Sequence, residues 1–387
     1  AGFGATGAAS WDTTVKTSGF TAVSGVGYFC NTTSGGFSVN LPAGTAGAVV
    51  AIKDYAGTFD TGTLTLVQNG SDKIGGSTVN ATLTTEGIAV TLVFIDSTQG
   101  WLVTDSGLQD EAPTSKYVTA TGGTITCSGD YRIHTFTGPG ALCVSCAGNA
   151  AGSNTVEYLI VAGGGGGGKG CSHGSGAGAG GYRVSPAVPI SVTSFPIVVG
   201  AGGAGAPATP RFPGGDGNTS SFNSIASTGG GGGVGWSTCA GRPGGSGSGA
   251  ACSPNFNNFG AGNTPPVSPP QGNPGGSVTN AGNAMGGGGG AGEAGNTDGD
   301  RTGGDGISNS ITGSAVFYAG GGSAGGSNPS ADMPGGQGGG GIGGGPPSTP
   351  GGAGTANTGG GGGGSFSSQV GGAGGSGIVI IKYKFQN

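Results

Sequence analysis

The sequence predicts an all-β protein: N-terminal antiparallel β-sandwich-like modules, then a glycine-rich domain with packed polyglycine II helices. Three observations carry this reading. Glycine supplies 101 of the 387 residues, and each glycine inside an α-helix costs about 1 kcal/mol relative to alanine. The apolar residues of the first half alternate with others, which is the period of a strand with one buried face. The glycines are also uneven, with 25 in residues 1–157 and the other 76 in residues 158–387.

Residues 1–105 form the expected N-terminal β-module. Phe37, Val39 and Leu41 alternate, as do Leu64 and Leu66, and then Ile88, Val90, Leu92 and Phe94. Asn69-Gly70 is a hairpin signal, and Gly35-Gly36 and Gly75-Gly76 punctuate further. Residues 106–115 (SGLQDEAPTS) are polar with a proline and predict a linker. Residues 116–161 predict a second β-module, with strands at Thr124–Cys127, Tyr131–Phe136, Ala141–Cys146 and Thr155–Val161. Residues 162–387 are the glycine-rich domain, closed by an apolar strand at 378–385 whose expected partner is Glu157–Val161. Tyr182–Val184 and Pro196–Val199 predict short strands within it.

Glycine has no side chain to bury and loses the most backbone freedom on folding. Order in such a region must come from the backbone. A polyglycine II helix has the left-handed, three-residue turn of polyproline II and no internal hydrogen bonds. Its N–H and C=O groups point outward and must be satisfied by neighbours. Gly163–Gly168, Gly229–Gly233, Gly286–Gly290, Gly338–Gly341 and Gly359–Gly364 are the candidate runs, with Pro265-Pro266, Pro269-Pro270 and Pro346-Pro347 as breaks between them.

Composition excludes several functions. Lys+Arg is 12 against 17 Asp+Glu, which leaves no basic surface for nucleic acid. No stretch approaches 18 apolar residues, so no membrane insertion is expected. The start, AGFGATGAAS, has neither the basic nor the apolar region of a signal peptide. Seven cysteines leave at least one outside any intrachain disulfide.

Chemistry-bearing patterns are few, and neither enzymatic activity nor a cofactor is expected. Gly163–Gly168 followed by Lys169-Gly170 imitates a phosphate loop, but Gly170 stands where Ser or Thr would hold Mg²⁺ and no helix can follow. Cys143-x-x-Cys146 has the spacing of a redox or zinc pair, yet positions three apart on a regular strand face opposite sides. A cross-strand disulfide involving Cys127 stays open. His134 reads as a satisfied strand residue, and neither it nor His173 sits in a hydrolytic motif. Asn296, Asp298 and Asp300 offer oxygen side chains at alternate positions, with Asp305 beyond, like the start of a calcium loop. Ile307 stands where such a loop needs Glu, so a solvated turn competes with that reading. Phe212, Trp236, Phe256, Phe259, Phe317 and Tyr318 stand out among small residues. They are candidate receptor contacts on loops, or wedges that cap the glycine scaffold.

The stretch Val156–Ala162, the six glycines after it, and Gly178–Arg183 resemble the glycine-rich domain of bacteriophage tail fibres and related virion proteins. The ending Gly374–Phe385 is similar to the closing strand of that domain, and Gly129–Thr137 to the β-unit that precedes it. Residues 20–105, with Tyr28, Thr32-Thr33-Ser34-Gly35, Leu41-Pro42, Asn69-Gly70-Ser71 and Gly100-Trp101, resemble a β-module of marine and cyanobacterial phage fibres. The resemblance implies a structural virion protein on the particle surface: a tail fibre or adhesin that meets a host surface glycan or protein. It further implies contacts with other virion proteins and a homotrimer or other homo-oligomer. A capsid- or neck-attached decoration fibre and a cellular extracellular adhesin or filament subunit stay open. The resemblance supplies no catalytic residues. Cys127, Cys143 and Cys146 depart from the Thr, Ser or Val expected at such strand positions.

Overall fold

Period-two alternation yields strands throughout the first hundred residues. The computed structural model describes residues 9–108, 115–170, 173–209, 213–235, 240–251, 258–277, 285–326 and 333–386. It divides into two units, Ala1–Thr114 and Ser115–Asn387. Among the described residues no helix is long and apolar enough to cross a membrane.

Unit 1 holds β1 (Ser10–Lys16), β2 (Phe20–Thr21), β3 (Val26–Cys30), β4 (Ser38–Asn40), β5 (Val49–Asp54), β6 (Leu64–Val67), β7 (Ala81–Leu83), β8 (Ile88–Phe94) and β9 (Trp101–Leu108). One sheet runs β1-β3-β5-β8-β9 and the other β2-β4-β6-β7. The alternating residues Val39, Leu41, Leu64, Leu66, Val90, Leu92 and Phe94 meet in one core with Phe59 and Trp101. Asp54 is buried, and its carboxylate accepts backbone N–H bonds from Gly57, Thr58, Phe59 and Gly87. It pins two loops at the end of β5.

The pairing corrects one expectation. β1–β3, β3–β5, β2–β4 and β4–β6 are parallel; β5–β8, β8–β9 and β6–β7 are antiparallel. From β1 to β6 the chain steps alternately between the two sheets. Each strand therefore returns to its own sheet after a crossover and arrives in the same direction, as parallel neighbours require. Half-buried strands of either orientation share a period of two, so the sequence pattern is blind to this. The predicted linker also starts late. Residues 106–108 belong to β9, and 109–114 lie outside the described residues.

Unit 2 holds β10 (Val118–Thr121), β11 (Thr124–Ser128), β12 (Tyr131–Phe136), β13 (Gly140–Ala147), β14 (Thr155–Val161) and β15 (Tyr182–Pro189). It continues with β16 (Ser194–Val198), β17 (Ser220–Phe222), β18 (Ile225–Ser227), β19 (Ile307–Asn309), β20 (Val316–Tyr318) and β21 (Ile378–Lys384). Its sheets run β10-β13-β16-β17-β18 and β11-β12-β21-β14-β15, with β19 and β20 as a separate pair. The closing strand does pair with the expected partner: Leu159 faces Ile380 and Glu157 faces Lys382. It also pairs with β12 on its other side. Residues 116–161 are thus no module of their own, because their sheets are completed by β15–β18 and β21.

The β21 sheet is covered on both faces. Val156, Tyr158, Ile160, Val379, Ile381 and Tyr383 meet Leu142, Phe195 and Phe222 on one side. Leu159, Val161, Ile378 and Ile380 meet Tyr182, Ile311 and Tyr318 on the other. Two-sided burial explains why Tyr158–Val161 and Ile378–Ile381 read as unbroken apolar runs rather than alternation.

The glycine segments bond in a three-residue period. Along Gly163–Gly168, Gly163 and Gly166 donate to Asn218 and Gly215, Gly164 and Gly167 to Gly375 and Gly372, and Gly165 and Gly168 to Gly178 and Ser175. These three neighbours run antiparallel, since their numbers fall by three as the donor's rises by three. The carbonyls of the same residues accept from Gly230 and Gly233, from Gly203 and Ala206, and from Gly362 and Ser365. These three run parallel. One six-residue segment is therefore surrounded by six others, and all its backbone groups are used. A Cβ on Gly166 would lie 2.0 Å from the carbonyl oxygen of Ala204, and one on Gly167 would lie 1.9 Å from that of Gly363. The run Gly338–Gly341 departs from this pattern. Gly338 and Gly339 take φ of +97° and +91° and make a turn.

A substitution pair tests the close approach. A Cβ on Gly231 would lie 2.1 Å from the Arg242 carbonyl oxygen, whereas one on Gly138 meets nothing within 4 Å. Overpacking against an immobile backbone costs about 1–3 kcal/mol or more, and open surface changes stay within about 0.5 kcal/mol. Gly231→Val is expected to lower the unfolding midpoint of unit 2 strongly or abolish its cooperative transition in denaturant melts. Gly138→Val is expected to melt like the parent. Equal tolerance at the two positions would contradict the lattice.

Candidate functional site

The candidate contact residues separate. Phe317 on β20 is 41% exposed beside Val316, and Phe259 is 37% exposed. Tyr318, the residue after Phe317, is corrected to a core residue. It is 4% exposed and packs with Ile378 and Ile380 in the core of unit 2. Burial raises its phenol pKa. Phe212, Trp236 and Phe256 lie outside the described residues.

The suspected calcium loop is rearranged. Asn296 does not offer a free oxygen: its Oδ1 accepts from the Gly287 N–H at 2.8 Å and its Nδ2 donates to the Ser277 carbonyl. The side chain stands in for a backbone strand of the glycine lattice. The carboxylates that converge instead are Glu293, Asp298 and Asp305, with one oxygen each within 4.8 Å of the others. Asp305 accepts from the backbone N–H and the side-chain amide of Gln337. Glu293 accepts from the Asp305 N–H. These bonds occupy two of the three carboxylates, Asp305 through Gln337 from another segment, and Asp300 is not part of the group.

The phosphate-loop imitation is likewise structural. The N–H groups of Gly163–Gly168 all donate to protein carbonyls, so none of those amides is left to hold a phosphate. Lys169 is buried and its Nζ donates to the Ala208 carbonyl.

His134 is fully buried between β11 and β21. Its Nδ1 lies 2.7 Å from the Gly122 carbonyl and its Nε2 2.9 Å from the Tyr383 hydroxyl. The Tyr383 oxygen in turn takes the Ala120 N–H at 3.1 Å. One assignment satisfies all three groups: a neutral ring donates from Nδ1, and the tyrosine donates to Nε2. Burial, and then Arg132 nearby, lower the His134 pKa, against the pull of the Gly122 bond. His173 is also buried and also lowered, by burial first and then by Arg301.

Four described cysteines are free thiols: Cys30, Cys127, Cys143 and Cys146. Cys127 is exposed on β11 opposite Arg132, with no disulfide. Cys30 is buried in the unit 1 core, and burial, reinforced by the Asp54 carboxylate, pushes its thiol up to about 12. Cys143 and Cys146 contradict the expectation that they face opposite sides. Cys143 pairs with Thr121 and Cys146 with Thr119, across a bulge that inserts one extra residue into β13. Thr119 and Thr121 are two apart on β10 and therefore share a face. Nothing in the local sequence announces the bulge.

Two outcomes follow from these groups. A histidine buried neutral has its folded pKa below the unfolded value of 6.5, so its contribution is complete above that pH and declines as pH falls below it. The midpoint of unit 2 is expected to drop between pH 7 and pH 5, and His134→Gln to show a shallower drop from a lower start. Equal slopes in parallel thermal melts would refute this. In native protein a thiol reagent is expected to label Cys127 and Cys143, and to reach Cys30 only after denaturation, as read by peptide mass mapping.

No curated protein matches the chain. Residues 145–384 match the family model described as a glycine-rich domain. The match begins at the end of β13 and stops at the end of β21, so it takes in the lattice together with the strands that close it. With more than half of its length matched in this way, the chain belongs to the glycine-rich domain family.

Proposed function

We propose that the protein is a structural virion component, a tail fibre or adhesin whose glycine-rich unit is a bundle of polyglycine II helices. The reading is that this bundle holds short loops against a host surface glycan or protein. The observation that carries the proposal is the lattice around Gly163–Gly168, where six neighbouring segments use every backbone group of the central one. Its three-residue period is that of the polyproline II geometry. Such a scaffold fixes the ends of its connecting loops without side-chain packing, and loops on a rigid frame are a common place for recognition. Of the candidate contact residues, Phe259 and Phe317 are described and exposed on this unit. Low charge fits the same reading, since 7% charged residues leave little surface electrostatics for salt to screen. The protein acts in this reading as an oligomer beside other virion proteins and performs no catalysis.

The test is location. Antibody raised against the purified chain is applied to phage particles that encode it, and the label is imaged by cryo-EM. Label at the distal tail is expected. Label over the capsid face or neck would overturn the reading in favour of a decoration fibre. Label on cells but not on particles would overturn it in favour of a cellular adhesin.

A further inference from the structure

The bulge on β13 brings two thiols to one surface. Thr119 and Thr121 are exposed while their neighbours Val118 and Ala120 are buried, which fixes the outer face of β10. Residues paired across antiparallel strands place their side chains on the same face. Cys146 opposite Thr119 and Cys143 opposite Thr121 therefore stand together on that outer face. Ser145 is the inserted residue, and its hydroxyl donates to the Thr119 carbonyl at 3.2 Å. That bond anchors the bulge. Bulges of this kind re-aim side chains.

The spacing selects the chemistry. The partners Thr119 and Thr121 stand two steps apart on β10, about 6.7 Å, and the paired cysteines follow that separation. That lies at the upper limit of the Cα separations that accommodate a disulfide, about 4.4–6.8 Å. A metal ion bound to two thiolates at about 2.3 Å each holds the sulfurs about 4.6 Å apart, which suits the wider separation better. The residues paired with the two cysteines are Thr119, Thr121 and Ser194. They supply no carboxylate and no imidazole. The Ser194 hydroxyl lies 3.5 Å from the Cys143 sulfur. Thiolates without oxygen anions beside them select soft ions over hard ones.

We propose that Cys143 and Cys146 form a two-thiolate site for a soft ion of low coordination number, of the Cu(I) type. Binding replaces two S–H protons, released to solvent, with two metal–sulfur bonds. No electron is transferred.

The experiment uses the reduced full chain under anaerobic conditions, titrated with Cu(I) held by a competing chromophoric chelator. It is run in a background with Cys127, Cys171, Cys239 and Cys252 replaced by Ser. One ion per chain is expected, and adding Cys143→Ser or Cys146→Ser should each weaken binding at least tenfold with the melting midpoint of the metal-free protein unchanged. Either single change leaving the affinity intact would overturn the site, as would loss of binding in the four-serine background. A second measurement serves if that background does not fold. In the unaltered chain, one equivalent of Cu(I) should protect Cys143 and Cys146, but not Cys127, from alkylation. Equal labelling of all three would overturn the proposal.

Discussion

Everything in unit 2 depends on one requirement: a buried backbone amide or carbonyl must find a partner. Where side chains are absent, neighbouring backbone is the main supply of partners. Gly163–Gly168 meets the requirement in three donor and three acceptor directions at once. The arrangement leaves no room for a Cβ, so glycine is demanded by contact and not by turn geometry. Magnitudes then show what the lattice cannot do. Ordering one residue's backbone costs about 1–2 kcal/mol, and a hydrogen bond returns a net of about 0.5–1.5 kcal/mol. At one bond per residue the bonds at best offset the ordering. The surplus has to come from apolar burial at the flanks, where β14 and β21 form a sheet packed on both faces.

Polar side chains at the lattice margins extend the same logic. Asn296 accepts from Gly287, Asp216 from Gly232, and Ser175 from Val234. Gln271 accepts from Thr228. Each places a side-chain oxygen where the lattice lacks a carbonyl. Asn296 looks like a candidate for ligand chemistry when read along the chain, and it is consumed by the scaffold.

How much was legible in the sequence follows from what a local pattern can encode. Alternation marked Val39, Leu64 and Val90 as core, and the apolar run at Ile378–Ile381 announced both a strand and its partner. Strand direction in unit 1 was not legible, because burial of one face looks the same in parallel and antiparallel pairs. Glu293 stands three residues before Asn296 but off the alternate-position pattern, and its place in the acidic group shows only in the fold. The shared face of Cys143 and Cys146 hung on one inserted residue, Ser145, that the composition of β13 does not betray. Tyr318 and Phe317 differ by one position and by the whole distance from core to surface, and only the packing of Tyr318 against Ile378 and Ile380 in the fold decides which is which.

The place of β21 has a consequence for how the protein is made. It lies between β12 and β14, yet it is synthesised after the entire glycine-rich region. A nascent chain that has reached residue 377 therefore holds two strand edges open around an unfilled slot. Open edges invite pairing with other chains. The strands on either side of that slot, β12 and β14, are rich in residues that pair well, whereas the chain made between β14 and β21 is mostly glycine, serine, alanine and asparagine and is poor in them. The composition that builds the lattice thus also keeps the chain's own glycine-rich segments from filling the slot before the closing strand arrives.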